Sequence, residues 1–210
     1  MNLPKQMIFA ALSCAALGAG NICHALSNCD PIVIDLGNNG IDLGAAGVGV
    51  YFDVDADGVR DHVQWLRRGG DEGFLALDRS GNGLVDNGSE LFGVGTPLVL
   101  EGRLAPNGFV GLAQYDARQL GGNDDGLITA ADAIWPQLRI WVDLNADGIS
   151  TYDEMHTLKS YGITALETIP KMRKYVDAAG NLIPYWGWAM QRDRTRRVVM
   201  VDVFLRHLPK

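Results

Sequence analysis

Apolar residues come along this chain in short bursts, and most bursts run straight into a cluster of Asp, Asn and Gly. Ile32-Val33-Ile34 follows Asp30-Pro31, Gly47 to Phe52 alternates, and Phe74 to Leu77 is continuous; each has the length and pattern of a strand. Leu138 to Trp141, Ile163 to Leu166 and Val198 to Leu205 read the same way, and Lys174-Tyr175-Val176 with Leu182 to Trp188 frames a hairpin turning over Asp177 to Asn181. Helical spacing is confined to a few places. Phe109, Leu112 and Tyr115 share one helical face, a short helix starting at Asp132 is curtailed by Trp135-Pro136, and a helix carrying Met155 and Leu158 ends at Gly162. The pattern predicts an α+β fold of short β-ribbons and short helices.

The polar clusters between the bursts hold the chemistry. Asp143 to Glu154 fits D-x-[DN]-x-[DN]-G-x5-E at every specified place, the signature of an EF-hand calcium loop. Calcium is a hard cation that collects six to eight oxygens, so short oxygen-bearing side chains must converge from a tight turn. Asp143, Asn145 and Asp147 offer side-chain oxygens, Gly148 permits the turn, Ile149 offers its carbonyl, Thr151 follows, and Glu154 closes with both oxygens. Asp53, Asp55, Asp57, Val59 and Asp61 repeat the pattern around Gly58, but Gln64 stands where the closing acid belongs. Asp78, Ser80, Asn82, Leu84 and Asp86 repeat it around Gly83, with Glu90 one place late. Asn123, Asp125, Leu127 and Asp132 surround Gly126, with Gly121 in the first position and Asp116 near enough to fold back and serve instead. Asp35 to Asp42 has a similar outline, with Gly37 at the third position, and reads first as a turn. The α+β fold is therefore expected to be organised around several EF-hand-like loops, with Ca2+ as the implied cofactor.

Charge agrees with bound cations. Residues 26–170 hold 22 acidic against 8 basic side chains, a net of −14, whereas 171–210 carry +6. An acidic body of this kind repels itself unless cations neutralise it. The basic end is read as Arg decoration on an edge strand, which discourages aggregation, rather than as a nucleic-acid surface. Lys5 followed by the apolar run from Met7 to Gly20 predicts a signal peptide over residues 1–25, and so a secreted or periplasmic protein with no membrane span. Its removal takes Cys14 and Cys23 and leaves Cys29 alone, so no disulfide framework is expected. The division that follows is a leader over 1–25, a calcium-binding domain over 26–170 and a basic hairpin and strand over 171–210 packed on it. His62, His156 and His207 lack metal-ligand spacing, and the glycine loops are too acidic to cradle phosphate.

The order of these motifs is more specific than any one. Asp30-Pro31, the Asp35 turn, Phe52-Asp53-Val54-Asp55, the run from Asp78 to Gly93, Gly108-Phe109, Asp125-Gly126 and Leu138 to Asp143 succeed one another over about 30–168. This order resembles a family of small secreted bacterial EF-hand calcium-binding proteins, related to the calcium-dependent self-processing module of RTX-type iron-regulated exoproteins. In that module, the resemblance implies, calcium folds the chain and an Asp–Pro bond near its start breaks by attack of the Asp carboxylate on its own carbonyl. Asp30 and Pro31 match that place, while Gly37 departs from the acidic or amide residue of the first turn. The reading is of a secreted calcium-binding protein with a calcium-stabilised binding or structural role toward an extracellular protein partner. Its alternatives are self-cleavage at Asp30-Pro31 and a dockerin-like partner-binding module, whose recognition positions would fall on Tyr152-Asp153 and Ala130-Ala131.

Overall fold

The computed structural model describes residues 30–191 and 196–209. The leader and cysteine expectations fall on residues outside these. The strands are β1 (Ile32–Asp35), β2 (Gly49–Phe52), β3 (Asp61–Gln64), β4 (Glu72–Leu77), β5 (Pro97–Leu98) and β6 (Arg103–Leu104), then, after helix α1 (Gly108–Ala113), β7 (Leu127–Thr129), β8 (Leu138–Trp141), β9 (Met155–Thr157), β10 (Ile163–Glu167), β11 (Lys171–Met172), β12 (Leu182–Gln191) and β13 (Arg196–Phe204). Among the described residues nine strands build one sheet in the order β7-β10-β12-β13-β1-β4-β8-β9, with β11 beside β12, and every pairing is antiparallel. Ribbons β2-β3 and β5-β6 stand apart from it.

The fold is thus mostly β, which overturns the α+β expectation. The helix expected after the best loop does not form. Tyr152–Glu154 makes one 3-10 turn, and Met155 then enters β9 against β8, with Trp141 opposite Met155. One turn has no length over which helical propagation could offset the cost of nucleation, so strand pairing prevails. The chain makes a further 3-10 turn at Leu158–Tyr161 and stops at Gly162, whose φ of 67° is left-handed. Among the described residues the segment with Phe109 and Leu112 is the α-helix that remains, continued to Asp116 by a 3-10 turn.

Both faces of the sheet are covered, which explains the continuous apolar runs in β1 and β4. Ile32, Ile34, Leu75, Leu138 and Met200 point to one side, where Phe109 and Leu112 of α1 pack. Val33, Phe74, Trp141 and Val201 point to the other, under Phe52, Val63 and Trp65 from the β2-β3 ribbon. There Phe52, Trp65, Phe74 and Trp141 form an aromatic cluster with ring centroids 4.8–5.7 Å apart. The basic end is no edge: β12 and β13 lie inside the sheet, and β13 pairs with β1. First and last described strands are therefore neighbours.

Candidate functional site

Five loops share one backbone design. Their fourth positions, Asn38, Ala56, Gly81, Asp124 and Ala146, have φ between 52° and 78°, and their sixth positions, Gly40, Gly58, Gly83, Gly126 and Gly148, between 71° and 105°. Left-handed Asn, Ala and Asp are uncommon, so something must hold these turns. The first-position carboxylate does. Asp143 accepts from the amides of Asp147 and Gly148, Asp78 from those of Gly81, Asn82 and Gly83, Asp53 from those of Asp57 and Gly58, and Asp35 from those of Asn38, Asn39 and Gly40. In the Asn123 loop the part is taken by Asp116, which accepts from Asp125 and Gly126 at 3.1 and 2.8 Å. Gly121 is not the first position; the chain makes a detour and returns. The fifth-position oxygens of Asp57, Asn82, Asp125 and Asp147 each accept from the amide two residues on.

Closure is also repeated. Glu154 accepts from the amide and hydroxyl of Thr151, Asp132 from the amide of Thr129, and Glu90 from the amide of Asp86. The extra residue before Glu90 is absorbed by the 3-10 turn Gly88–Glu90, capped by Asn87. Gln64 does not close the Asp53 loop. It is buried in β3, where its amide nitrogen donates to the carbonyls of Leu43, Ala45 and Val48. Ligand oxygens of Asp53, Asp55 and Asp57 nonetheless lie within 4.8 Å of one another. Asp61 faces His207 at 3.8 Å, and burial beside the other acids pushes its carboxyl up.

The loops also touch one another. Ser150, in the eighth position where an aliphatic residue is usual, accepts from the amide of Val85 and donates to its carbonyl, and Val85 is the eighth position of the Asp78 loop. Tyr152 donates to the carbonyl of Asn82, and Trp65 of the aromatic cluster donates to Asp143 at 2.7 Å. Ser150→Ala strands a buried amide and carbonyl at Val85, so it should cost about 1–3 kcal/mol in denaturant unfolding of the calcium-loaded chain.

A second polar centre lies where β1 begins. Asp30 and Asp202 are both buried in the described structure, with 1% and 0% of their surface exposed, and their carboxyls are in hydrogen-bond contact. The remaining contacts are backbone: Val94 donates to Asp30 and Gly108 to Asp202, at 2.8 and 2.9 Å. One oxygen of each carboxyl, Oδ2 of Asp30 and Oδ1 of Asp202, has no donor. Two acceptors left in contact without a donor are satisfied by one proton held between them. Burial pushes Asp30 up to about 7 and drives Asp202 well above the ordinary carboxylate range, where the Asp30 charge raises it further.

The peptide bond from Asp30 to Pro31 is gripped on several sides. Val203 donates to the Pro31 carbonyl and Ile32 donates to that of Phe92. Gly93 lies so close to the Asp30 carbonyl that a Cβ there would overlap it. Thr96, fully buried, fixes this turn by accepting from the Gly93 amide and donating to Leu91. The segment following Glu90 is thus the cradle of the bond, so the Asp78 loop and the Asp30 site are joined by a few residues of chain. Asp202 escaped sequence reasoning; its only signal was one acid inside the apolar run Val198 to Phe204.

Residues 32–206 match the family model of the SPM domain. Iron-regulated protein FrpA of Neisseria meningitidis serogroup C is 39% identical over 168 residues, covering 79% of this chain. The chain spans 14% of that relative's length. No helix among the described residues is long and apolar enough to cross a membrane.

Proposed function

The chain belongs to the SPM-domain family, and from that premise we propose that it is a calcium-organised module that breaks its own Asp30–Pro31 bond. The observation that carries this reading is the buried Asp30–Asp202 pair set directly at that bond. A structural role alone gives no account of two neighbouring buried carboxyls, one on β13 and one just before β1, since burying them costs free energy.

The pair divides the work that bond breaking needs. The Asp30 carboxylate attacks its own main-chain carbonyl carbon and closes a five-membered anhydride, as carboxylates do in covalent catalysis. The bond to the Pro31 nitrogen breaks, and that nitrogen takes the proton the pair holds on Asp202. Water opens the anhydride and restores both carboxyls of Asp30; a lysine amine arriving instead would form an amide. Two like charges held together cannot both ionise readily, which keeps one nucleophile and one acid at neutral pH. Pro31 offers a tertiary amide with no N–H, so its nitrogen leaves as a secondary amine.

The loops fit calcium by donor chemistry: Asp143, Asn145, Asp147, Ile149, Thr151 and Glu154 present only oxygen, as do the sets beginning at Asp53, Asp78 and Asp116. Bound there, calcium would neutralise the acidic body and fix the loops. Glu90 then holds the segment that presents Phe92, Gly93 and Val94 to Asp30. Export by way of the leader over residues 1–25 belongs to the same proposal, because loops of about 10⁻⁴–10⁻³ M affinity suffice outside the cell.

The test uses the chain with a tag ahead of Leu26, purified under chelation. On adding calcium near neutral pH, a product beginning at Pro31 should accumulate in the mass spectrum, and Asp30→Ala should stay whole. A calcium-loaded wild-type chain that survives intact would leave only the calcium-stabilised binding or structural role.

A further inference from the structure

We propose that the Asp35 loop is a further calcium site, completed by Asp71 and Glu72 from the start of β4. The inference rests on the calcium reading above. By sequence the loop lacks an oxygen at its third position, Gly37. In the structure that oxygen is supplied from elsewhere. A Cβ on Gly37 would run into the Asp71 carboxylate, which therefore fills the space of the missing side chain, and Asn39 donates to the same carboxylate at 2.9 Å.

Closure comes from the same segment. Glu72 lies opposite Asp35 in the β1-β4 register, so both side chains leave the same face of the sheet. It is 98% buried by its 2% exposure, and its Oε1 accepts from the Asp42 amide at 2.7 Å, much as Glu90 and Glu154 accept from theirs. Its Oε2 has no donor at all. That oxygen belongs to a side chain lining a cavity with Asn39, Gly40 and Asp71. Arg67 and Arg68 also border the cavity, and the Arg67 guanidinium is engaged by Asp42 at 2.7 Å. Asp35, Asp71 and Glu72 remain for a cation, with the side-chain oxygen of Asn39 and the Ile41 carbonyl at the fifth and seventh positions. A buried carboxylate oxygen without a donor, on a side chain that lines a cavity together with Asp71, is what a hard cation satisfies.

The experiment counts calcium ions on the full chain by native mass spectrometry and titration calorimetry, with calcium alone as the probe. Glu72→Gln keeps the shape and should bind one ion fewer than wild type, as Glu154→Gln should at its own loop. Asp71→Gly should lose the same ion, and adding Gly37→Asp should restore it by returning the oxygen to the third position. This pair decides the matter even where Glu72→Gln fails to fold. An unchanged ion count in Asp71→Gly, or in a folded Glu72→Gln, overturns the site while Glu154→Gln still loses an ion. A wild-type chain that binds none removes both this site and the calcium reading.

Discussion

Asp202→Asn is expected to act in opposite directions on cleavage and on stability. An amide keeps the acceptor for the Gly108 amide and can donate to Asp30, so the local geometry survives. It has no acid proton to give the Pro31 nitrogen. Loss of a general acid should slow calcium-triggered cleavage about 10²–10⁴-fold, read as the rate of appearance of the Pro31 fragment. Stability should rise instead. Folded Asp30 and Asp202 hold protons above the ordinary carboxylate range, Asp30 to about 7, so between about pH 4 and 7 the folded chain binds more protons than the unfolded one. Wild-type stability therefore falls as pH rises through that window, and goes on falling above it for as long as folded Asp202 keeps its proton. Burial also pushes Glu72 up to about 7, and its contribution is common to both proteins. Thermal melts should show the variant gaining on wild type at pH 8, by on the order of a few kcal/mol, and matching it near pH 4. A variant that cleaves at the wild-type rate would remove Asp202 from the chemistry.

Chelation is expected to abolish cleavage and lower the melting temperature together. Each ion that binds only the folded chain adds about 2.7 kcal/mol at a hundredfold excess over its Kd. Several such sites amount to much of the stability of an ordinary domain, about 5–15 kcal/mol. The loss should not be uniform. Glu90→Gln alters the closure from which the cradle of the Asp30–Pro31 bond departs, whereas Glu154→Gln alters a loop that touches the Asp78 loop, through Ser150 with Val85 and Tyr152 with Asn82, and reaches the cradle at one remove. At equal loss of melting temperature, Glu90→Gln should cleave more slowly. Equal rates in the two variants, or a melting temperature indifferent to chelator, would break the link between loops and bond.

Local pattern was a good guide where the physics is local. The strands at Ile32, Gly49, Phe74 and Ile163 and the helix with Phe109 and Leu112 stand close to where periodicity put them. The turn geometry of the loops follows from Asp, Asn and Gly at fixed offsets, down to the detour that returns Asp116 to the Asn123 loop. What failed depends on distant partners. The expected helix beyond Glu154 yields to pairing with β8, and the basic end reads as an edge until β1 is known to lie beside β13. Asp71 and Asp202 face their partners across long stretches of chain, and neither relation leaves a mark in a window of adjacent residues.

The neighbourly placement of β1 and β13 has a bearing on timing. A chain made from its N-terminus presents Asp30-Pro31 well before Asp202, so until β13 has been made Asp30 has no Asp202 carboxyl beside it. Pairing strands so far apart also carries a large closure cost, which makes it a late event in folding. On the proposed cleavage, the sheet order works as a delay: the bond becomes breakable only after the strand that carries Asp202 has been assembled beside it.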